Sequence, residues 1–198
     1  MARPRTFDEE RALDGAMRLF WETGYEAAST QALCEATGLG RSSIYNTFSS
    51  KHALFIRALT NYLDTMADNQ AAILGDPTQP PLTRLRNMFT SVIDTEEANR
   101  RERFGIGCLG VNSSVELSRR DPEAAGLLQR DLERRLGTLQ DLIASGQHAG
   151  EISGTRSARE FALFLNATVA GMRVSAQNGL DRSALESIAD AALDALAP

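Results

Sequence analysis

The sequence predicts an all-α fold of about nine helices, and three observations carry that expectation. Apolar residues recur at three- and four-residue spacing over almost the whole length, no strand-like alternation stands out, and helix-opening residues stand in front of the periodic stretches. The 198 residues, 42% hydrophobic and 24% charged, suffice for one sizeable core or two small ones. Each element follows from its own punctuation.

Thr6-Phe7-Asp8-Glu9 has the capping-box pattern, in which a hydroxyl and a carboxylate three residues on each take a free N–H. It opens a first helix carrying Phe7, Leu13, Ala16, Met17 and Phe20, which closes before Gly24. Ser29 or Thr30 caps a second, with Ala32, Leu33 and Ala36 on its apolar face; Gly38 stops it, because glycine enters a left-handed turn without a Cβ clash. A third begins near Arg41, its Ile44 and Phe48 four apart and able to face inward with Leu39. Ser50-Lys51 precedes a fourth helix reaching Leu74, where Gly75-Asp76-Pro77 and Pro80-Pro81 make the clearest break in the chain.

Leu82, Leu85, Met88, Phe89, Val92 and Ile93 define a fifth, amphipathic helix ending at about Asn99, followed by a charged link over residues 100–103. A short sixth helix covers residues 108–117. Asp121 at the N-cap and Pro122 at the first helical position open a long seventh that ends near Gly150. Ser157 and Glu160 repeat the capping box before an eighth, residues 161 to about 177, and Asp181 or Ser183 opens the last.

Residues 31–51 set two short helical patterns around a glycine-marked turn, the arrangement of a helix-turn-helix. Its second helix turns Arg41, Ser42, Tyr45 and Asn46 outward, a set suited to a DNA groove. The planar fork of Arg41 can pair two acceptors on guanine, and Asn46 offers the bidentate pattern suited to adenine. Ser42 can contact base or phosphate, Ser43 joins the same group of candidates, and Tyr45 and Thr47 can turn a hydroxyl to phosphate. Lys51, opening the fourth helix, adds its charge to free backbone N–H groups; Thr30, at the start of the second, repeats that geometry without the charge. Arg3 and Arg5 lie on an arm able to track the backbone or enter the minor groove. For each of these the alternative is an ordinary solvated side chain. Phe20, Trp21 and Tyr25 are expected in the core of this small domain.

Taken together, Thr37-Gly38-Leu39-Gly40, Ile44-Tyr45-x-x-Phe48 and Ser50-Lys51-x-x-Leu54-Phe55 resemble the N-terminal domain of TetR-type (TetR/AcrR family) transcriptional regulators. The resemblance runs from about Thr6 to Leu59 and includes Leu13-x-x-Ala16-x-x-Leu19-Phe20-x-x-x-Gly24-Tyr25 and Ser29-Thr30 upstream. The family pattern is departed from at two places: Gly40 stands where a capping Ser or Thr is usual, and Asn46-Thr47 where aromatic or His residues are common. The resemblance implies a DNA-binding domain over residues 1–51 and a ligand-sensing and dimerisation domain over residues 52–198. It further implies a one-component regulator, a repressor that binds a near-palindromic operator as a homodimer and leaves it when a small hydrophobic or reactive ligand binds. Two-fold symmetry would set the recognition helices about 34–36 Å apart.

Such regulators pair their two terminal helices, which draws attention to Phe161, Leu165, Thr168, Gly171 and Met172, and to Leu185, Ile188, Ala189 and Ala192. Intramolecular core is the other reading of those stripes. Candidate ligand-pocket residues are Met66, Met88, Phe89, Phe104, Cys108, Asn112, Phe161, Phe164 and Asn166, although Met and Phe at helical spacing also suit a core. Gly107-Cys108-Leu109-x-x-Asn112-x-x-x-Glu116 resembles a segment in a subset of these regulators, some of which sense oxidants or electrophiles through a cysteine. A thiol at a helix N-terminus can have a lowered pKa; the alternative for Cys108 is a small buried hydrophobe.

A net charge of −5 has to be reconciled with a DNA partner. Residues 1–51 carry six basic and seven acidic groups, a net of −1, leaving −4 for the remainder. Affinity depends on where the cations sit, since only those near phosphate release counterions. Arg3, Arg5, Arg41 and Lys51 fall on the arm, the recognition helix and the next helix start, while most acids fall on the first helix.

Composition narrows the other possibilities. No run approaches the roughly 18 apolar residues of a membrane span, and MARPRTFDEER is charged where a signal peptide turns apolar. A cytoplasmic protein with no membrane partner is expected, and the N-x-S/T triplets at Asn112 and Asn166 carry no glycosylation meaning there. Cys34 and Cys108 have no C-x-x-C spacing, so reduced thiols are expected rather than a disulfide or a zinc site. Gly105-x-Gly107-x-x-Gly110 matches the dinucleotide fingerprint literally but has no preceding strand. His52 and His148 have no Cys or His partner at metal-ligand spacing, and Glu96-Glu97 and Asp8-Glu9-Glu10 are expected on solvated faces, so no catalytic residue, metal or cofactor is expected. The remaining rival is a helical ligand-binding or interaction protein without sequence-specific DNA binding.

Overall fold

A computed structural model describes residues 5–102 and 107–198, with side chains from residue 9 onward except at 102. Arg3 and Phe104, and the side chain of Arg5, therefore lie outside the described residues. Among these residues there are nine helices and no strand: α1 (Arg5–Thr23), α2 (Thr30–Thr37), α3 (Arg41–Phe48), α4 (Lys51–Leu74), α5 (Pro81–Glu102), α6 (Leu109–Leu117), α7 (Pro122–His148), α8 (Ala158–Gln177) and α9 (Arg182–Asp194). The all-helical expectation holds.

Local chemistry accounts for most boundaries. Ser29, not Thr30, caps α2, its Oγ accepting the Ala32 N–H at 3.1 Å, and Gly38 closes the helix at φ 67°. Asp121 Oδ1 accepts the N–H groups of Glu123 and Ala124 at 3.0 Å each, Ser157 and Glu160 make both bonds of the capping box, and Asp181 caps α9 through Ala184 at 2.9 Å. Two expectations need correction. Thr6 lies inside α1 rather than capping it, because the backbone is already helical at Arg5. The charged link after Asn99 is helical through Glu102: Arg100 and Arg101 sit in the last turn, where cations complement the helix dipole, and Arg101 pairs with Glu97 at 3.0 Å.

Two compact units divide the chain: Met1–Asp64 with Phe104–Leu128, and Thr65–Arg103 with Gln129–Pro198. The segment 1–51 falls wholly inside the first, which also takes in α6 and the start of α7. Phe20, Leu33, Ile44, Phe48, Leu54, Phe55 and Leu59 form its interior, joined by Leu109 and Leu117 of α6, none more than 2% exposed. Burying each such side chain stabilises by about 1.5–3 kcal/mol relative to leaving it in water. Phe20 meets Phe55 edge-on at 5.1 Å, and Tyr25 packs on Phe55 at 4.8 Å, while Trp21 is 8% exposed. α1 and α2 touch at Gly15, where a Cβ would stand 2.1 Å from the Ala36 carbonyl oxygen.

In the second unit, Leu85, Phe89, Ile93, Leu136, Leu139, Ile143 and their neighbours form one core. Phe161, Leu165, Met172, Leu185, Ala189 and Ala192 belong to it, each 6% exposed or less, and Ile188 packs against it. The inward stripes of α8 and α9 are thus spent within one chain and retain little surface to bury against a second. The open face of α8 carries Leu163, Phe164, Gly171 and Val174, with Thr168 half-buried. Two carboxylates of this unit, Glu96 and Asp131, are buried and paired with arginines, Glu96 against the expectation of a solvated face. Arg173 donates to the buried Glu96 at 2.9 Å; burial pushes the Glu96 carboxyl above its ordinary range, with Arg173 pulling the other way. Asp131, also buried, accepts from Arg135 at 2.8 Å, and Arg135 donates onward to Asn166 at 2.7 Å.

Candidate nucleic-acid interface

The recognition surface follows from which side of α3 is buried. Ile44 and Phe48, each 2% exposed, anchor the helix to the core, and Arg41, Ser42, Ser43, Tyr45, Asn46 and Thr47 are all left exposed. The Arg41 guanidinium lies 5.9 Å from the centre of the Tyr45 ring, a contact worth about 0.5–1 kcal/mol at an exposed site. Gly40 caps α3 with no side-chain hydrogen bond, so the first N–H groups of the helix keep no side-chain acceptor there. The departure noted at Gly40 thus leaves donors at the front of the recognition helix.

Lys51 is held in a defined seat. Its Nζ donates to the Glu26 carbonyl at 3.3 Å and stands 4.7 Å over the Tyr25 ring, which leaves further donors on the ammonium for an anion. Burial, followed by the charges of Glu26, Asp121 and Glu116, pushes the Tyr25 phenol up, so the ring stays neutral beneath that cation. Thr30 is half-buried at the first position of α2. Two acids of α1 are matched by cations of the same unit: Glu9 by Arg57 at 2.7 Å and Asp14 by Arg18 at 2.9 Å. Arg57 also lies 5.1 Å over the Phe48 ring, tying α4 to the end of α3.

Several contacts of this unit have no counterpart in the sequence reading. Glu116 of α6 accepts the backbone N–H of Tyr25 and of Glu26, both at 2.9 Å. The Trp21 indole donates to the Gly107 carbonyl at 2.9 Å, and His52 Nε2 meets Asp121 Oδ2 at 2.6 Å. Glu116 and Gly107 had a sequence signal in the Gly107-Cys108 segment, and Asp121 in its place before Pro122, but none of these signals pointed to the partners found.

The expected pocket residues are divided between the two units. Cys108 and Asn112 fall in the first unit; Met66, Met88, Phe89, Phe161, Phe164 and Asn166 fall in the second. Met88, Phe89 and Phe161 are core, and Asn166 is engaged by Arg135. Phe161 and Phe164 line an open hollow of about 450 Å³ with Thr155, Arg156, Glu160 and Ala195. Cys108 caps α6, half-buried, and its Sγ accepts from the Tyr62 hydroxyl at 3.4 Å; Cys34 is half-buried as well. Among the described residues, no cluster of three or more His, Cys, Asp or Glu is placed to hold a metal ion, and no helix is long and apolar enough to cross a membrane.

A short polar helix exposed on an apolar three-helix support, with a cation seated at the start of the next helix, defines a helix-turn-helix DNA-binding protein. Residues 12–58 match the family described as bacterial regulatory proteins, tetR family, and residues 81–192 match the tetracyclin repressor-like C-terminal domain. The chain belongs to the TetR family and is a DNA-binding transcriptional regulator, not an enzyme. It is 32% identical over 191 residues to the HTH-type transcriptional repressor ComR of Escherichia coli K12, covering 96% of this chain and 90% of the relative. It is 28% identical to the repressor DhaR of Mycobacterium sp. strain GP1, covering 98% and 94% of the two chains. A solved cysteine mutant of the TetR family regulator CifR, complexed with 26-base-pair operator DNA, superposes with a TM-score of 0.82 at 27% identity, covering 98% of this chain and all of that one.

Proposed function

We propose that the protein is a cytoplasmic repressor that binds a near-palindromic operator as a homodimer and is released by a small hydrophobic or reactive molecule. Residues 1–51 read the DNA and residues 52–198 sense the ligand and pair the subunits. The observation that carries this reading is the exposed face of α3. Arg41 and Asn46 meet base edges, Ser42 and Ser43 meet base or phosphate, and Tyr45, Thr47, Thr30 and Lys51 meet phosphate, with Arg3 and Arg5 extending the contact along the backbone. Kinship to the named repressors supports the direction of control.

Pairing is assigned to the outward face of α8, where Leu163, Phe164, Gly171 and Val174 lie on one side of the helix and three of them are exposed large apolar side chains. Sedimentation of the protein with an operator duplex of about 20 base pairs, two half-sites one helical turn apart, is expected to give two chains per duplex. Phe164→Glu is expected to split the dimer. One chain per duplex at saturation, or an intact dimer in that variant, contradicts the assignment.

One observation favours a reactive effector. Cys108 opens α6, and its sulfur receives the hydroxyl hydrogen bond of the buried Tyr62, which sets a polar partner beside the thiol. Diamide is then expected to release operator DNA from the wild type and not from Cys108→Ser. Equal release from both removes Cys108 as the switch, and no release from either contradicts a thiol switch and leaves a non-covalent ligand as the effector.

A further inference from the structure

We propose that Glu116 is a positioning residue for operator binding: by gripping the turn after α1 from α6, it builds the seat from which Lys51 meets the phosphate backbone. The inference rests on the DNA-binding reading above and adds a residue that does not touch DNA.

Both carboxylate oxygens are committed. Oε2 accepts the Tyr25 N–H and Oε1 the Glu26 N–H, each at 2.9 Å. Hydrogen bonds to an ionised acceptor are about twice as strong as neutral ones, and two from consecutive residues leave the turn one orientation. The same two residues make the seat: the Glu26 carbonyl takes Lys51 Nζ at 3.3 Å, and the Tyr25 ring lies 4.7 Å beneath it. The turn closes tightly on the carboxylate, since a Cβ on Gly24, at φ 79°, would stand 3.0 Å from Oε2. At the opposite end of α6, the Gly107 carbonyl holds the Trp21 indole. α6 is therefore fastened at both ends to the last turn of α1 and the residues just after it, and Glu116 is the fastening that reaches a DNA-facing cation.

The test is Glu116→Gln in the full-length protein, with amide exchange at Tyr25 and Glu26 measured beside operator binding by fluorescence anisotropy. Glutamine keeps one acceptor and turns an amide donor against the other N–H. In the wild type both amides are expected to be protected. In the variant they should exchange faster, operator affinity should fall roughly tenfold, and the slope of log affinity against log salt should drop by about one, the signature of a lost phosphate contact. In a Lys51→Ala background the same substitution should cost far less, because the two act through one contact. A role confined to stability would lower the melting temperature and leave the salt slope unchanged. Affinity within about twofold of wild type after both amides lose protection overturns the proposal, as does the same cost in both backgrounds or unprotected amides in the wild type. If Glu116→Gln does not fold, Glu116→Asp, which keeps the charge and shortens the reach, carries the same comparison. A wild type with no preference for operator over scrambled duplex contradicts the DNA-binding reading itself.

Discussion

Gly15→Ala is expected to destabilise the first unit by about 1–3 kcal/mol and to abolish operator binding at temperatures where the wild type is fully bound. The added methyl would stand 2.1 Å from the Ala36 carbonyl oxygen and 2.9 Å from its carbon, both backbone atoms that cannot swing aside as a side chain tip can. Relief requires α2 to move away from α1. α2 leads through Gly38, Leu39 and Gly40 into α3, so the displacement passes to the recognition helix and misaligns its face. Thermal unfolding and anisotropy titration check both effects. Gly137→Ala is the control, because no atom outside its own helix lies within 4 Å of a Cβ there and alanine favours a helix interior. A Gly15→Ala protein with wild-type stability and affinity would mean that α1 and α2 do not pack as described.

The second large effect separates reading from holding. Arg41→Ala is expected to cost about 1–3 kcal/mol on the operator and to relax preference at a single base pair, since a guanidinium fork pairs both acceptors of a guanine. Lys51→Ala is expected to weaken all duplexes similarly and to reduce the salt slope by about one, because a phosphate contact carries no sequence information. Anisotropy against a panel of single-base operator variants distinguishes the two. Equal loss on every duplex for Arg41→Ala would remove it from base reading.

What was legible in the sequence was the chemistry that acts over a few residues. Asp121 before Pro122, and Ser157 three before Glu160, announce helix starts because the capping partners are the next turn's own N–H groups. Gly38 announces the turn because its φ of 67° is one that glycine adopts freely. The burial of Phe161, Leu165, Leu185 and Ala189 in one chain was not legible as such, since the same three-four spacing serves a core and a subunit interface alike. The charged residues 100–102 read as a link because charge suggests solvent, yet cations in a last turn extend a helix. Glu116 was visible only as a motif position: its partners are backbone N–H groups about ninety residues away, and every residue but proline carries one. Gly15 gave no signal either, because its need is set by the approach of Ala36 in space.

The most direct test of the account is fluorescence anisotropy of the purified protein against duplexes from its own upstream DNA and a scrambled control, over a series of salt concentrations. Tight binding to one near-palindromic segment is expected, weakening steeply with salt and exceeding the scrambled duplex at every concentration. Binding that never exceeds the scrambled control, there or across a genome-wide duplex selection, would contradict it and leave a helical protein that binds ligands or partners but reads no DNA sequence.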